Sequence, residues 1–327
     1  MRCIKIGTRG SALALWQTDW VKSKLENIFP DCKFEVIRIQ TRGDRISDVP
    51  LESIGGEGVF VKQIEIALLS SEIDLAVHSM KDLPTVLPDD LIIGAIPERS
   101  DPADVLISKH DEQRAESKEL RAKSSKLYAL CPMLYHLPEG AKIGTSSLRR
   151  RAQLLHARDD LAIRDIRGNV GTRLAKLRSG DLDAIVLASA GVERLGYGDL
   201  MTQRLPYDIC LPAVGQGAIG VEMRAEDKEL RDMVRGIDHL ESAAAVRAER
   251  AFLRSLGGGC RVPIAALGTV DSGELNLVGL VAQRDGRRVM RSGTSGRQEE
   301  AEDIGKRLAR LLLDMGARSI LESGYNH

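Results

Sequence analysis

The sequence predicts an α/β protein, with two doubly wound, largely parallel domains and then a smaller α/β domain carrying an antiparallel three-stranded sheet. Three observations predict it. Short apolar runs alternate with helical patterns through the first two thirds of the chain. The alternation pauses at the breaker-rich stretch Pro97-Glu98-Arg99-Ser100-Asp101-Pro102 and then begins again. Beyond residue 236, strand patterns joined by glycine turns replace it. A chain of 327 residues exceeds one ordinary core. The expected division is 1–97 with 218–235, then 98–217, then 236–327.

Each element has its own signal. Cys3–Gly7 reads as a strand, and Ser11–Ile28 as a helix with Leu13, Trp16, Trp20 and Ile28 near one face. Lys33–Thr41 reads as a strand and Phe60–Leu69 as a helix, while Asp74–Val77 and Leu91–Ile96 are compact apolar strands. The grammar then repeats with a strand ending at Ile143-Gly144, helix Ser147–Arg158 and strand Ile163–Ile166. Helix Val170–Arg178, capped by Gly180, and strand Ala184–Leu187 follow. Helix Glu241–Leu256 opens the last part, with strands at Ile264–Val270, Leu275–Gln283 and Val289–Ser292 and a closing amphipathic helix at Gln298–Met315. Lys109–Pro138 stands outside this pattern, with a charged half that reads as a solvated surface segment without chemistry.

Composition excludes several classes. Lys+Arg and Asp+Glu both number 47, so no basic excess points to nucleic acid and no acidic excess to disorder. The five cysteines, Cys3, Cys32, Cys131, Cys210 and Cys260, are scattered and form no Cys-x-x-Cys pair. That pattern speaks against a disulfide framework or a zinc site and for a reducing compartment. The amino terminus reads as a strand, without the apolar core of a signal peptide. The longest apolar stretch, Ala184–Val192, is far shorter than a membrane span. A cytoplasmic monomer is expected, with neither membrane nor nucleic acid as partner and no metal.

One run carries more functional information than any other: Gly257-Gly258-Gly259-Cys260-Arg261-Val262-Pro263. The glycines suit neither helix nor strand, but they let a bulky group approach the backbone beside the thiol. Cys260 is thus displayed on a loop just beyond a helix, and Pro263 prevents a return to helix. The plain alternative is a glycine-capped helix with a small buried thiol.

Gly215-Gln216-Gly217-Ala218-Ile219-Gly220 matches the dinucleotide pattern in letters only. That pattern needs a helix opening at the glycines, and here Ile219–Met223 reads as a strand, so a crossover between domains is expected instead. Gly144-Thr145-Ser146-Ser147-Leu148-Arg149-Arg150 places arginines where a helix dipole disfavours cations, which an anionic ligand would resolve. Arg167-Gly168-Asn169 with Thr172-Arg173, and Thr8-Arg9-Gly10-Ser11, repeat the design at other strand ends. Such loops would line one crevice and take a ligand with several carboxylates or phosphates. In His78-Ser79-Met80-Lys81-Asp82-Leu83-Pro84, Asp82 either stabilises charge or builds a turn before Pro84. His78 reads as a packed or hydrogen-bonded histidine.

Together with Ala14–Gln17, Thr41-Arg42-Gly43-Asp44, Leu211–Gly217 and Gly258–Pro263, these motifs resemble, in order, those of the porphobilinogen deaminases. The resemblance implies two hinged domains like those of periplasmic binding proteins, with a third α/β domain. It implies stepwise condensation of four porphobilinogens to hydroxymethylbilane with loss of ammonia, as part of porphyrin and haem synthesis. It further implies a dipyrromethane cofactor bonded by thioether to Cys260, and Asp82 as the catalytic carboxylate. Ser79, Lys81, Thr145, Ser146, Ser147, Arg149, Arg150 and Gly168 match positions that hold the cofactor. Arg9, Ser11, Arg167, Arg173 and Gln216 match positions that hold substrate. Two features depart from the family pattern: Glu57 stands where many members have lysine, and Lys109–Pro138 is longer than usual. A solute-binding protein and a phosphate-handling transferase are the other classes the residues admit. The first lacks a signal peptide, and the second lacks a Walker lysine loop and a metal-binding acidic pair.

Overall fold

The computed structural model describes residues 3–41, 61–109, 131–257 and 262–325. Strand β1 (Cys3–Thr8) turns Ile4 and Ile6 to the core and Cys3 and Lys5 to water. Helix α1 (Ala12–Ile28) begins where Ser11 accepts the amide of Ala14 at 3.3 Å. Its Val21 and Leu25 pack on the sheet beside Trp16 and Trp20. Strand β2 (Lys33–Arg38) returns parallel to β1. Helix α2 (Lys62–Leu69) leads to β3 (Leu75–Ser79), also parallel to β1, and β4 (Leu91–Ala95) follows.

The second sheet opens with β5 (Asp104–Ser108), an element absent from the sequence expectation. The short helix α3 (Pro132–His136) lies within the Lys109–Pro138 segment, whose residues 110–130 fall outside the described chain. Then come β6 (Lys142–Gly144), α4 (Leu148–Ala157), β7 (Ala162–Arg164), α5 (Val170–Arg178) and β8 (Ala184–Ala188). Helix α6 (Ser189–Arg194) and strand β9 (Gln203–Arg204) complete this part. Strand β10 (Ile219–Arg224) then returns to the first sheet, between β3 and β4.

The two sheets share one plan, with orders β2-β1-β3-β10-β4 and β7-β6-β8-β5-β9. Both are largely parallel in direction, as expected, with one strand in each running against the rest. The antiparallel strands are β10, which opposes β3 and β4, and β5, which opposes β8 and β9. Each arrives from the other domain at the carboxyl end of a parallel neighbour: Ile219 pairs with Ser79, and Asp104 with Ala188. A strand entering at that end must run the opposite way. The two crossovers touch where the Ser100 amide donates to the Gly217 carbonyl at 3.3 Å. Gly217 has φ +86°, and a Cβ there would sit 2.5 Å from the Ser100 oxygen, so only glycine fits. The glycine run is therefore a crossover and no nucleotide loop.

Helix α7 (Lys228–Val234) precedes the last domain, whose first helix is α8 (Leu240–Ser255). Strands β11 (Ile264–Asp271), β12 (Glu274–Ala282) and β13 (Val289–Arg297) form an antiparallel meander. Ser272 and Gly273, with φ of 51° and 82°, make the first hairpin turn. Strand β13 runs past the expected Ser292 because backbone pairing with β12, rather than side-chain apolarity, sustains its polar end. Helices α9 (Ala301–Leu312) and α10 (Arg318–Tyr325) follow. Phe252, Ile304, Leu308 and Leu312 cover Leu275 and Leu277 of the sheet.

Candidate active site

Strand β3 delivers the first part of the site. At its end the chain enters a single tight turn, Met80–Asp82. Met80 is buried, and its amide donates to the Ala218 carbonyl at 3.0 Å, which ties the turn to the returning crossover. Lys81 and Asp82 are left exposed. Arg250 of α8 braces the turn from outside, donating to the carbonyls of Pro84 at 2.6 Å and Leu83 at 3.3 Å. Arg9, Ser11, Gln17, His78, Ser79 and Asp82 line one cleft. The structure thus unites Arg9, Ser11, Ser79 and Asp82, which lie far apart in sequence. Gln17 joins them: its Nε2 donates to Ser79 Oγ at 2.9 Å, and Ser79 Oγ can donate back to Oε1 at 3.1 Å. The sequence reading assigned no site role to Gln17; its one signal was a polar residue within the buried stripe of an amphipathic helix.

The second domain answers from the end of β6. Thr145 is buried, Ser146 Oγ donates to the Ile166 carbonyl at 2.7 Å, and Ser147 caps α4 by accepting the Arg150 amide at 3.4 Å. Arg149 and Arg150 turn inward, each 6% exposed, onto the fully buried Asp104 at the head of β5. Arg149 Nη1 lies 2.6 Å from Asp104 Oδ2, and Arg150 Nη2 lies 2.7 Å from Oδ1. Arg149 also donates to the Leu211 carbonyl at 2.6 Å, and Arg150 to that of Val186 at 2.9 Å. Gln216 is buried too, its Nε2 donating to Asp104 Oδ1 at 2.9 Å and to the Pro102 carbonyl at 2.7 Å. Burial by itself would raise the Asp104 pKa, but the two guanidiniums beside it hold it well below the usual carboxylate range. Sequence reasoning missed Asp104. An aspartate heading the apolar run Val105–Ile107 was its only signal.

This counter-ion changes the expectation for the arginine loop. The conflict with the helix dipole is met from inside, by Asp104, before any ligand arrives. A positive balance nevertheless remains. Arg173 has its pKa pushed down to about 10, first by burial and then by Arg150 and Arg167. Its Nε donates to the carbonyl of Gly168, which sits in a left-handed turn at φ +105°. Lys81, exposed yet walled in by both domains, is also lowered. Loss of surrounding water comes first, with Arg150 and Arg149 adding and Asp82 and Asp104 opposing. Lys81, from the first domain, thus shares one electrostatic site with α4 of the second. Arg149 Nε is buried and has no hydrogen-bond partner among the described residues. These donors fit a group with several carboxylates, the chemistry of a dipyrromethane.

Cys260 lies outside the described residues, as do Arg42-Gly43-Asp44 and Glu57. Its flanks are described: α8 ends at a left-handed Gly257, φ +64°, and the buried Val262 leads into β11.

Residues 4–232 match the family described as "Porphobilinogen deaminase, dipyromethane cofactor binding domain", and residues 243–314 match "Porphobilinogen deaminase, C-terminal domain". A porphobilinogen deaminase of Pelotomaculum thermopropionicum is 51% identical over 321 residues, covering 98% of this chain and 96% of the relative. That of Moorella thermoacetica is 51% identical over 319 residues, with the same coverage. That of Pelobacter propionicus is 48% identical over 324 residues, covering 99% and 98%. Among solved structures, the VFT2 domain of BvgS from Bordetella pertussis aligns at 14% identity and a TM-score of 0.41, over 72% of this chain and 86% of that one. With both family matches laid over the two-sheet cleft and the helix-and-meander domain beyond it, the chain belongs to the porphobilinogen deaminase family, the hydroxymethylbilane synthases of tetrapyrrole biosynthesis, which use a dipyrromethane cofactor.

Proposed function

We propose that the four porphobilinogens are joined in the cleft between the two sheets, with Asp82 as the catalytic carboxylate and Cys260 as the cofactor's anchor. The observation that carries this reading is the meeting of Arg9, Ser11, Ser79 and Asp82 in one cleft, with Arg149 and Arg150 held together on Asp104 in the second domain and Lys81 within their electrostatic reach. Like charges held together in a partly dry site call for an anion. Every porphobilinogen brings an acetate and a propionate.

Ser79, Lys81, Thr145, Ser146, Ser147, Arg149, Arg150 and Gly168 hold the cofactor in this reading. Bound there, a dipyrromethane supplies the pyrrole carbon to which the first unit is joined. Arg9, Ser11, Arg167 and Arg173 take the carboxylates of substrate and growing chain. Gln216, expected at a substrate position, is instead buried with its amide on Asp104, where it steadies the counter-ion of Arg149 and Arg150. Asp82 faces the positive charge that develops on pyrrole nitrogen once ammonia leaves and the carbon–carbon bond forms. A carboxylate fixed by a braced turn stabilises that charge without reorganising.

The same reading divides the chain into 1–97 with 218–235, 98–217 and 236–327, which the membership of the three sheets supports. In the same reading the chain is a cytoplasmic monomer that binds neither membrane nor nucleic acid. Balanced charge supports the absence of a nucleic-acid partner. Among the described residues no helix is long and apolar enough to cross a membrane.

The anchor is tested by intact mass. The parent protein should carry the added mass of two pyrrole units, and Cys260→Ser should be folded, inactive and of sequence mass, because a hydroxyl is a far weaker nucleophile than a thiolate. A dipyrrole still bonded to Cys260→Ser refutes the assignment.

A further inference from the structure

Helix α4 carries more than its two arginines. Arg149, Gln153 and His156 recur at i, i+4 and i+7, so they form one stripe along the helix. Each is bonded to a different segment of the chain. Arg149 meets Asp104 at the head of β5. Gln153 is buried and pairs with the backbone of Leu211 in both directions. Its Nε2 donates to the Leu211 carbonyl at 3.0 Å, and its Oε1 accepts the Leu211 amide at 2.8 Å. His156 Nδ1 lies 2.9 Å from the carbonyl oxygen of Gly286, in the turn between β12 and β13. A carbonyl only accepts, so that nitrogen carries the hydrogen. Gln153 and His156 have no part in the chemistry described so far.

The meander fits this stripe closely. Gly286 has φ +73°, and a Cβ there would stand 2.5 Å from the Ala152 carbonyl oxygen and 2.7 Å from the His156 amide nitrogen. Backbone therefore lies directly on backbone, and only glycine allows it. Around this contact Ala152 and Leu211 join Ala265, Leu267, Leu280 and Ala282 of β11 and β12 in one buried apolar cluster. The Ala266 amide donates to the Pro212 carbonyl at 3.2 Å, and Arg291 Nη1 of β13 donates to that of Tyr207 at 2.9 Å. Strand β11 begins at Ile264, shortly after Cys260 in sequence. The strand that follows the cysteine and the helix that bears the arginines thus belong to one packed unit.

We propose that His156, backed by Gln153, is a positioning residue for the cofactor. It fastens α4 to the third domain, so that the arginines on the first turn of the helix stand in a set relation to the strand that follows Cys260. The proposal rests on the reading that α4 takes the cofactor's carboxylates and Cys260 its thioether. Bonds at the first turn alone would leave the far end of a helix free to swing. Gln153, one turn on, and His156, two turns on, supply the further points that stop it. A dipyrromethane gripped at two ends presents its reacting carbon in one place only when those ends are fixed relative to each other.

The test uses the full-length protein as purified, with the cofactor-loaded fraction measured by intact mass. His156→Leu fills similar space without the donor, and kcat of its loaded fraction should fall about fivefold, the scale of one hydrogen bond. KM should stay parental, because a misplaced reacting carbon weakens the transition state and spares substrate binding. His156→Asn, whose amide donates from near the Nδ1 position, should restore most of kcat. Gly286→Ala leaves His156 in place but pushes α4 off the turn, and should repeat the loss. Folded His156→Leu without cofactor, with loading restored in His156→Asn, supports the proposal equally. A merely structural contact would lower the melting temperature of His156→Leu and leave kcat of its loaded fraction parental. That result, or equal kcat in the Leu and Asn variants, overturns the proposal. Should Gly286→Ala not fold, the two His156 variants carry the test alone. Cofactor and turnover retained in Arg149→Leu overturn the reading of α4 on which it rests. Cofactor lost there beside parental kcat in both His156 variants overturns the positioning role by itself.

Discussion

Glu249 of the third domain grips Arg99 of the first crossover, with Oε1 2.5 Å from Nη1, and the glutamate is fully buried. The same carboxylate accepts the amides of Gly215 at 2.7 Å and Gly268 at 2.8 Å. One side chain therefore joins α8, the meander and both crossovers. Glu249→Gln leaves the Arg99 charge without its partner. Breaking such a pair costs about 3–5 kcal/mol. The expected outcome is a clearly lower melting temperature, and calorimetry on the cofactor-loaded protein checks it.

Asp82→Asn should leave the fold intact, because the side chain is exposed on a turn held by Met80 and Arg250. Turnover should fall roughly a hundredfold, the scale of a lost preorganised electrostatic group. Steady-state kinetics on protein of parental melting temperature decides it, and unchanged turnover would reduce Asp82 to a turn residue.

Arg150→Leu removes one of the two cations that hold Asp104 down. A carboxyl with a lowered folded pKa adds stability above its unfolded value, and loses that stability as pH falls through the folded one. In the parent this loss comes only at very acid pH. In the variant the Asp104 value rises, so the acid unfolding midpoint should move to higher pH. Cofactor should be lost as well. A circular dichroism titration with intact mass at each point measures both, and an unmoved midpoint would show that Arg149 alone suffices.

Arg173 makes the opposite case, being crowded by cations and bonded to the backbone of its own loop. Arg173→Leu should keep its cofactor but stall elongation, leaving enzyme bearing one, two or three further pyrroles in the mass spectrum. A lost bidentate contact removes about 1.5–3 kcal/mol, enough to trap an intermediate and too little to unfold the domain.

The sequence alone determined the alternation of strands and helices, the change of grammar near residue 236, the glycine that ends α8, and the arginine-bearing turns at strand ends. Each is written in a few consecutive residues, because periodicity and caps act over one or two turns of chain. Only the tertiary structure decided that Arg149 and Arg150 share Asp104, some 45 and 46 residues away, and that Gln216 reaches it across 112. It likewise decided that β10 enters the first sheet antiparallel and brings Glu222 against His78. No local window holds such partners. A buried charge is stabilised by whatever the fold carries to it, and that depends on which strand ends meet, whereas helix and strand depend on neighbours in sequence.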